Sequence, residues 1–577
     1  MNAKSKHRLL ILDADMTPAL TIVRSLRKKN AVIDVASHCE FAICKYSRYP
    51  HQHYLYPSPL TAENEFIEWL KRHLAAHPYD LVIPVTERTL IPISKHLNQF
   101  KEHQFAIAPL EGLDVALNKS RTLELAAALN IPTPNSTLIK QFEELPGEDE
   151  VKAYPVVIKP ARSVGDNGSH KAQLSVEYAF SHNELKAKTR HALQFGDAIL
   201  QSYFKGQGIG VEVIAKEGCI SYAFQHLRLH EVPLTGGGSS LRKSTAIEPI
   251  LLNASEKLIE SLKWTGVAMI EFKWNPQTRE YCLMEINGRF WGSLPVADAA
   301  GADFPGMLYD MMLLDSTGPY PPYKNDIYSR KLSSDIYWHE LVLRKIAPQE
   351  LNLLPSKKQL LKDLLLFFSP RHHLDVQSIR DPLPGLVDLK NSLKDYTQRA
   401  KGILDKKKRL KKQQDAWTNQ SSQQLSNANS ILFVCYGNIN RSALAEHYFQ
   451  HLCKKNNIES LSAGFHQQNG RPADPVMTKI ALTQGIDMRN HKSCALDANM
   501  VSHADIIFVM EQHQLTRFNQ EYPNAEHKTY LLGLTALTVT DAGEIPDPYG
   551  EPVSTYQHCY NQVTQCVKEL FKAYTDS

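Results

Sequence analysis

Residues 394–430 constrain this chain more than any other stretch, because they offer almost nothing a hydrophobic core could use. Residues 394–412 are dense in Lys and Arg, and 413–430 consist largely of Gln, Ser and Asn. The basic run reads as a solvated helix, with an acidic or nucleic-acid surface as the alternative. The polar run reads as a flexible linker. With 577 residues in all, the chain is long enough for several domains.

The apolar share of 43% and the charged share of 22% are those of a soluble globular protein. A net charge of +4 over this length gives no case for nucleic-acid binding. The nine cysteines are scattered without a C-x-x-C pair, which reads as a reducing compartment with no disulfide framework and no zinc site. The N-terminal basic residues precede too few apolar ones for a secretory core, and Asp13 and Asp15 interrupt them. No apolar run approaches twenty residues; Leu364-Leu365-Leu366-Phe367-Phe368 reads as a fragment of a buried or amphipathic helix, far short of a membrane span. A cytoplasmic location is expected, and no pattern specifies an oligomeric state.

Residues 1–115 alternate apolar strand-like runs (9–12, 31–35, 80–85 and 105–108) with helical patterns, which predicts a doubly wound parallel layer. Thr17-Pro18 reads as a helix N-cap followed by proline in the first turn. The dinucleotide fingerprint is absent, since no glycine-rich turn follows the first run. Residues 116–320 read as an α+β body and 321–393 as a helical extension. Residues 394–428 form the basic, then polar, connection, and 429–577 a compact α/β domain.

Two places in the chain look built for phosphate. In the first, the apolar run Ile431-Leu432-Phe433-Val434 leads into Cys435-Tyr436-Gly437-Asn438-Ile439-Asn440-Arg441-Ser442 and then into a helical pattern carrying Leu444, Tyr448 and Leu452 on one face. Strand, tight turn and helix N-terminus make an anion cradle of backbone N–H groups. A cysteine opening such a cradle is a nucleophile through its thiolate. An arginine closing it grips an oxyanion with two parallel hydrogen bonds. Attack on a phosphate ester through a phosphocysteine fits this arrangement. Departure of a phenolate needs a proton, and Asp547, between Pro546 and Pro548, is the carboxylic acid placed to give it.

This C-terminal part resembles the low-molecular-weight protein tyrosine phosphatases. The resemblance rests on the 435–442 loop, Ser462-Ala463-Gly464, the 470–475 turn, Gly485-Ile486-Asp487 with His491, the 504–510 run and Asp547-Pro548-Tyr549. It implies a central parallel sheet, Cys435 as nucleophile, Arg441 as phosphate ligand and Ser442 as thiolate partner. It further implies Asn438 as loop shaper and Asp547 as general acid, then base, with no metal needed. His491 matches as well, more as a structural histidine than a catalytic one. Asn440 stands where many relatives carry a second cysteine, and 466–469 lack the aromatic wall of the ring site. Tyr436 and Tyr549 are the aromatics left to serve there. The related thioredoxin-coupled arsenate reductases need two more cysteines in a downstream segment; here that segment reads Phe508-Val509-Met510-Glu511, with Cys494 isolated before it, which disfavours reductase chemistry.

In the second place, Pro155-Val156-Val157-Ile158-Lys159-Pro160 is a strand ending in lysine, followed by the small-residue loop 161–169 with Gly165 and Gly168. Such loops fold over polyphosphate. Farther on, 269–272 and 283–287 read as a hairpin that sets Glu271 opposite Glu285, with Asn287 two residues on. Carboxylates converging so closely call for a cation, and oxygen ligands near polyphosphate favour magnesium. Arg289 follows two residues further along the same strand face.

Together these segments resemble the ATP-grasp superfamily, in the style of the carbamoyl-phosphate synthase and biotin carboxylase ATP-binding domains. The resemblance spans 1–320 and implies ATP and Mg2+. Lys119, Lys159, Gly165, Gly168, Gln201 and Phe204 would hold the nucleotide. Glu271, Glu285 and Asn287 would hold the metal, and Arg289 the reacting group. The front half would then join a small-molecule carboxylate to an amine through an acyl phosphate. The back half would hydrolyse phosphotyrosine on protein or a small phosphomonoester. An ATP sensor, or a phosphotransferase without an amine acceptor, are the alternatives for the front half. Arg228 reads either as a ligand of phosphate or the acceptor or as a surface ion pair, and 236–240 reads as a plain surface loop or, by the resemblance, as a loop near the second substrate.

Overall fold

The computed structural model describes residues 6–160, 164–166, 171–173, 176–351, 353–453, 458–540, 543–551 and 553–576. Two compact units emerge, Met1–Ala179 with Thr189–Asp395, and Phe180–Lys188 with Tyr396–Ser577.

In the first unit, the front layer is a four-stranded sheet in the order Gln52–Leu55, Ala31–Ser37, His7–Ile11, Leu81–Ile83. Every pair is parallel, with His7 beside Ala31 and Leu9 beside Leu81. The 105–108 run contributes only a bridge from Phe105 to Val82, not the expected fourth strand. The fourth strand is instead Gln52–Leu55, at the opposite edge of the sheet, whose half-exposed, polar make-up hides it from a search for apolar runs. Thr17 is not the N-cap either. The helix Thr17–Leu26 is capped by Met16 without a side-chain bond, so it relies on its buried stripe and its early proline.

Behind this layer lies a seven-stranded sheet in the order Glu280–Asn287, Gly266–Asn275, Gln207–Lys216, Cys219–Val232, Gly238–Thr245, Tyr328–Arg330, His372–Leu374. It is antiparallel except for its last pair. A smaller antiparallel sheet joins Ser136–Ile139, Ala198–Ser202, Val156–Pro160 and Glu177–Ala179. The leucine-rich run does not supply core. Helix Lys357–Leu365 buries Asp363, which meets His230 Nε2 at 3.1 Å, and leaves Leu364, Leu365 and Phe368 exposed. A buried carboxylate needs its partner more than a leucine needs cover.

The second unit is a parallel sheet in the order Glu459–Gly464, Ser430–Cys435, Ile506–Val509, Thr529–Leu531. Period-two alternation splits the central strand between two cores. Ile431, Phe433 and Cys435 join Phe449, Phe508 and Val563 on one face, while Leu432 and Val434 join Ile507, Val509 and Phe518 on the other. Both faces are covered, so the strand must be apolar throughout. Each fully buried side chain there contributes about 1.5–3 kcal/mol relative to exposure.

The polar stretch expected to be a flexible linker is helical: Pro382–Ser426 is one helix of 45 residues. Its few apolar residues are spaced to dock. Trp417 lies 5.5 Å from Phe508 and 5.3 Å from Tyr530, Leu425 is fully buried, and Gln424 accepts the Tyr530 hydroxyl at 2.9 Å. Composition counts residue types and misses this spacing.

Candidate active sites

In the second unit the chain runs from Ser430–Cys435 to a strand on one side and later returns to the other side. Cys435 therefore sits at the carboxyl end of a strand at a topological switch point, where open α/β sheets bind ligands. Its sulfur accepts the Asn438 N–H at 3.2 Å and the Ser442 hydroxyl at 3.0 Å. Asn438 adopts φ 51°, a left-handed turn that asparagine tolerates. Its amide holds that turn by donating to Ser442 Oγ at 3.0 Å and Ser462 Oγ at 2.7 Å. Its carbonyl oxygens accept from Cys494 N at 2.8 Å (side chain) and His491 Nε2 at 2.9 Å (backbone). Gly464 permits the approach, since a Cβ there would lie 2.8 Å from Tyr436 O and 2.9 Å from Asn438 N.

Helix Arg441–Leu452 starts at the loop's end. Arg441 is 1% exposed. It donates to Asp547 Oδ2 at 2.6 Å, to the Ile545 carbonyl at 2.9 Å and to the Glu511 carboxylate. Burial alone would lower its pKa, but the charges of Cys435, Asp547 and Glu511 outweigh burial and raise it. Its Nε is buried with no partner among the described residues, a donor free for an oxyanion. Both polar side-chain atoms of Asn440 are likewise buried and unpaired. Tyr436 and Tyr549 are 51% and 65% exposed. Two site residues carry no sequence signal for their partner: Glu511 follows directly on the 504–510 run and Arg471 lies within the 470–475 turn, yet nothing in either stretch points to Arg441 or to the Gly437 carbonyl, which they meet.

In the first unit, Glu271 and Glu285 are direct cross-strand partners. Asn287 Nδ2 donates to Glu285 Oε1 at 3.1 Å. Arg228 makes a two-pronged ion pair with Glu271, one bond of 2.7 Å, and also donates to the Gly237 carbonyl at 3.2 Å. Its guanidinium is thus a buried carboxylate partner and not a surface one. Burial raises the Glu271 pKa against the pull of Arg228. For Glu285, burial is overcome by Lys119, the Asn287 bond and Lys159, and the carboxyl is held below its usual range. Burial and the adjacent Lys119 charge bring Lys159 down to about 8, against the pull of Glu285 and Glu271. Lys119 begins a helix whose Asn118 cap accepts the Ser120 and Arg121 N–H groups at 3.1 and 3.3 Å.

Gln201 Nε2 donates to Ser136 Oγ at 2.9 Å, while its buried Oε1 has no partner among the described residues. Phe204 lies beyond the end of its strand at Ser202 and is half-buried. Gly165 pairs with Ala172 in a two-stranded ladder; Gly168 lies outside the described residues. Arg289 is not on the strand face. The strand ends at Asn287, and Arg289 follows in a bend, donating to Glu87 Oε1 at 3.1 Å and Phe290 O at 2.9 Å. Gly288, between the strand end and Arg289, is packed so tightly on Trp264 that a Cβ would lie 2.6 Å from its ring. Glu87 is a residue the sequence did not mark, since it lies in a front-layer helix, Glu87–Lys95.

Residues 430–576 match the family described as low molecular weight phosphotyrosine protein phosphatase, and residues 194–333 match the one described as ATP-grasp in the biosynthetic pathway with Ter operon. The low molecular weight protein-tyrosine-phosphatase Etp of Escherichia coli (strain K12) is 31% identical over 144 residues, covering 25% of this chain and 93% of that protein. The phosphatase Ptp of Acinetobacter johnsonii is 34% identical over 145 residues, covering 25% of this chain and 96% of that one. A solved L-amino acid ligase from Bacillus licheniformis overlaps 54% of this chain and 75% of its own at 14% identity and a TM-score of 0.42, a likeness too loose to carry a reaction. No helix among the described residues is long and apolar enough to cross a membrane. The chain belongs, through its C-terminal unit, to the low molecular weight phosphotyrosine protein phosphatase family, and carries an ATP-grasp segment in the same polypeptide.

Proposed function

We propose that the C-terminal unit hydrolyses phosphotyrosine on protein through Cys435. The observation that carries this is the sulfur held by Asn438 N and Ser442 Oγ, in the unit whose Arg441 is buried and multiply anchored. The thiolate attacks phosphorus, the phenolate leaves with the Asp547 proton, and a phosphocysteine forms. Asp547 then takes a proton from water, whose oxygen attacks phosphorus; inorganic phosphate leaves and the thiolate returns. Arg441 binds the equatorial oxygens throughout. The exposed Tyr436 and Tyr549 favour a ring presented by a protein surface over a small phosphomonoester. Loss of p-nitrophenyl phosphate turnover in Cys435→Ser tests this, and turnover near wild type refutes it.

For the front unit, the reading is a carboxylate–amine ligase. The donor set fits magnesium and a nucleotide: paired carboxylates with an amide, a buried lysine, and a Gln201 Oε1 that meets no donor among the described residues. Glu271, Glu285 and Asn287 would hold Mg2+; Lys119, Lys159 and Gly165 the phosphates; Gln201 and Phe204 the base. When bound, Mg-ATP supplies the phosphoryl group that activates the carboxylate. Arg289, anchored by Glu87, orients the acid. Hydroxylamine trapping tests the reading: a hydroxamate formed from ATP and a carboxylate mixture supports a ligase, and ADP release without hydroxamate supports a phosphotransferase. The proposed need for ATP and for a reduced thiol favours a cytoplasmic location. The two activities together suit a ligase pathway governed by tyrosine phosphorylation.

A further inference from the structure

Helix Arg441–Leu452 carries Glu446 and His447 side by side, on the helix that begins at the phosphate loop. His491, from a separate segment, meets them. His447 Nε2 lies 3.3 Å from His491 Nδ1, and His491 Nδ1 lies 4.0 Å from Glu446 Oε2. All three ligand atoms fall within 4.8 Å of one another. Metal–nitrogen bonds of about 2.0–2.1 Å at tetrahedral angles set ligand atoms about 3.3 Å apart, and the histidine pair already has that spacing.

The second layer matches as well. His491 Nε2 faces the Asn438 carbonyl oxygen at 2.9 Å, which only accepts. The His491 proton is therefore on Nε2, and the Nδ1 lone pair points at His447. A ligating histidine is oriented by this kind of N–H bond to a backbone carbonyl. Glu446 is in turn held by the Ser462 hydroxyl and by Gln450 Nε2 at 3.2 Å. Burial lowers the pKa of both histidines, keeping the neutral form that metals take.

We propose that Glu446, His447 and His491 form a binding site for a divalent transition ion of the zinc class, coupled to the phosphate loop. The donors are two imidazoles and one carboxylate, a set that suits zinc. On coordination the His447 proton moves from Nε2 to Nδ1, so no net proton is released. Two lines reach the sulfur. One runs from His491 to the Asn438 carbonyl; the other runs from Glu446 through Ser462 Oγ to the Asn438 amide. They converge on Ser442 Oγ and Cys435 Sγ. Metal on these side chains therefore braces the turn at Asn438. Cysteine spacing carries no sign of this site, because no cysteine takes part.

The test is a cobalt(II) titration of the full-length Cys435→Ser protein, which removes the loop thiolate as a competing ligand. The expected spectrum has intense visible bands of tetrahedral cobalt without thiolate charge transfer, lost in Cys435→Ser/His447→Gln and in Cys435→Ser/Glu446→Gln. Zinc should raise the melting temperature of the C-terminal transition in Cys435→Ser and leave it unmoved in the His447→Gln double variant. A parent protein showing only the weak bands of octahedral cobalt overturns the proposal, whatever the variants do. So does a tetrahedral spectrum that survives both His447→Gln and Glu446→Gln.

Discussion

Asp547 Oδ2 lies 2.6 Å from Arg441 Nη2, so the acid proposed to serve the leaving group and the cation proposed to grip the phosphoryl group touch each other. Arg441 is almost wholly buried while Asp547 is 38% exposed. The arginine is the buried member, and the aspartate, on its proline-flanked loop, is the one that solvent reaches. Asp547→Ala should slow phenyl phosphate hydrolysis by about 10²–10⁴-fold and p-nitrophenyl phosphate, with its better leaving group, much less. Steady-state rates on the two esters check this; equal losses would remove the acid role.

Gly464 is the position where the loop is most sensitive to one atom. The obstacles to a Cβ there are backbone atoms of Tyr436 and Asn438, which cannot rotate aside. Gly464→Ala should destabilise the second unit by about 1–3 kcal/mol and displace Asn438 from Cys435. Urea unfolding together with p-nitrophenyl phosphate turnover measures both. Unchanged stability with full activity would contradict the packing.

Arg228 and Glu271 neutralise each other in a buried pair. Arg228→Met leaves the carboxylate alone, at a cost of about 3–5 kcal/mol. Chemical denaturation should show that loss in the first unit, and magnesium should restore part of it by taking the vacated carboxylate. A variant as stable as wild type without magnesium would show that Glu271 is not held as described.

Lys159 sets a pH dependence. Its folded pKa, brought down to about 8 by burial and Lys119, lies below that of a free lysine. It is charged below pH 8 and, as the proposed phosphate ligand, would lose that hold as pH rises through 8. ATP affinity should therefore fall above pH 8, by at most about tenfold per pH unit. The same shift means that the lysine's charge costs stability at neutral pH, a cost relieved as pH rises from 8 toward the unfolded value. Calorimetric titrations with ATP between pH 7 and 9.5 follow the first effect, and a flat profile contradicts it.

The sequence was most legible where one local run carries both structure and chemistry. The run 431–435 is apolar because both of its faces are buried, and the turn after it needs Asn438 and a following helix; all of that is contiguous. Glu271 meets Glu285 through a register shift between Glu271 and Phe272; the register that pairs Asn275 with Glu280 and Phe272 with Leu283 would by itself set Glu271 opposite Met284. The alternation of the two strands therefore points to the pair, but the turn alone does not fix it. Contacts over long separations were not legible. Glu511 reaches Arg441 across 70 residues and Arg289 reaches Glu87 across 202, and no spacing rule links them. The helix Pro382–Ser426 was hidden because its stability comes from Trp417 and Leu425 docking on a core formed later in the chain. The exposed leucines of 361–368 were misleading for the opposite reason: Asp363 is the residue that His230 and Arg330 hold.

The central claim is that two independent anion-handling sites share one polypeptide. Its most direct test measures Mg-ATP binding and p-nitrophenyl phosphate hydrolysis side by side in full-length Cys435→Ser and Glu285→Gln. The first variant should lose hydrolysis and keep ATP binding; the second should weaken ATP binding by an order of magnitude or more and keep hydrolysis. Hydrolysis surviving in Cys435→Ser, or ATP binding untouched in Glu285→Gln, would contradict the account.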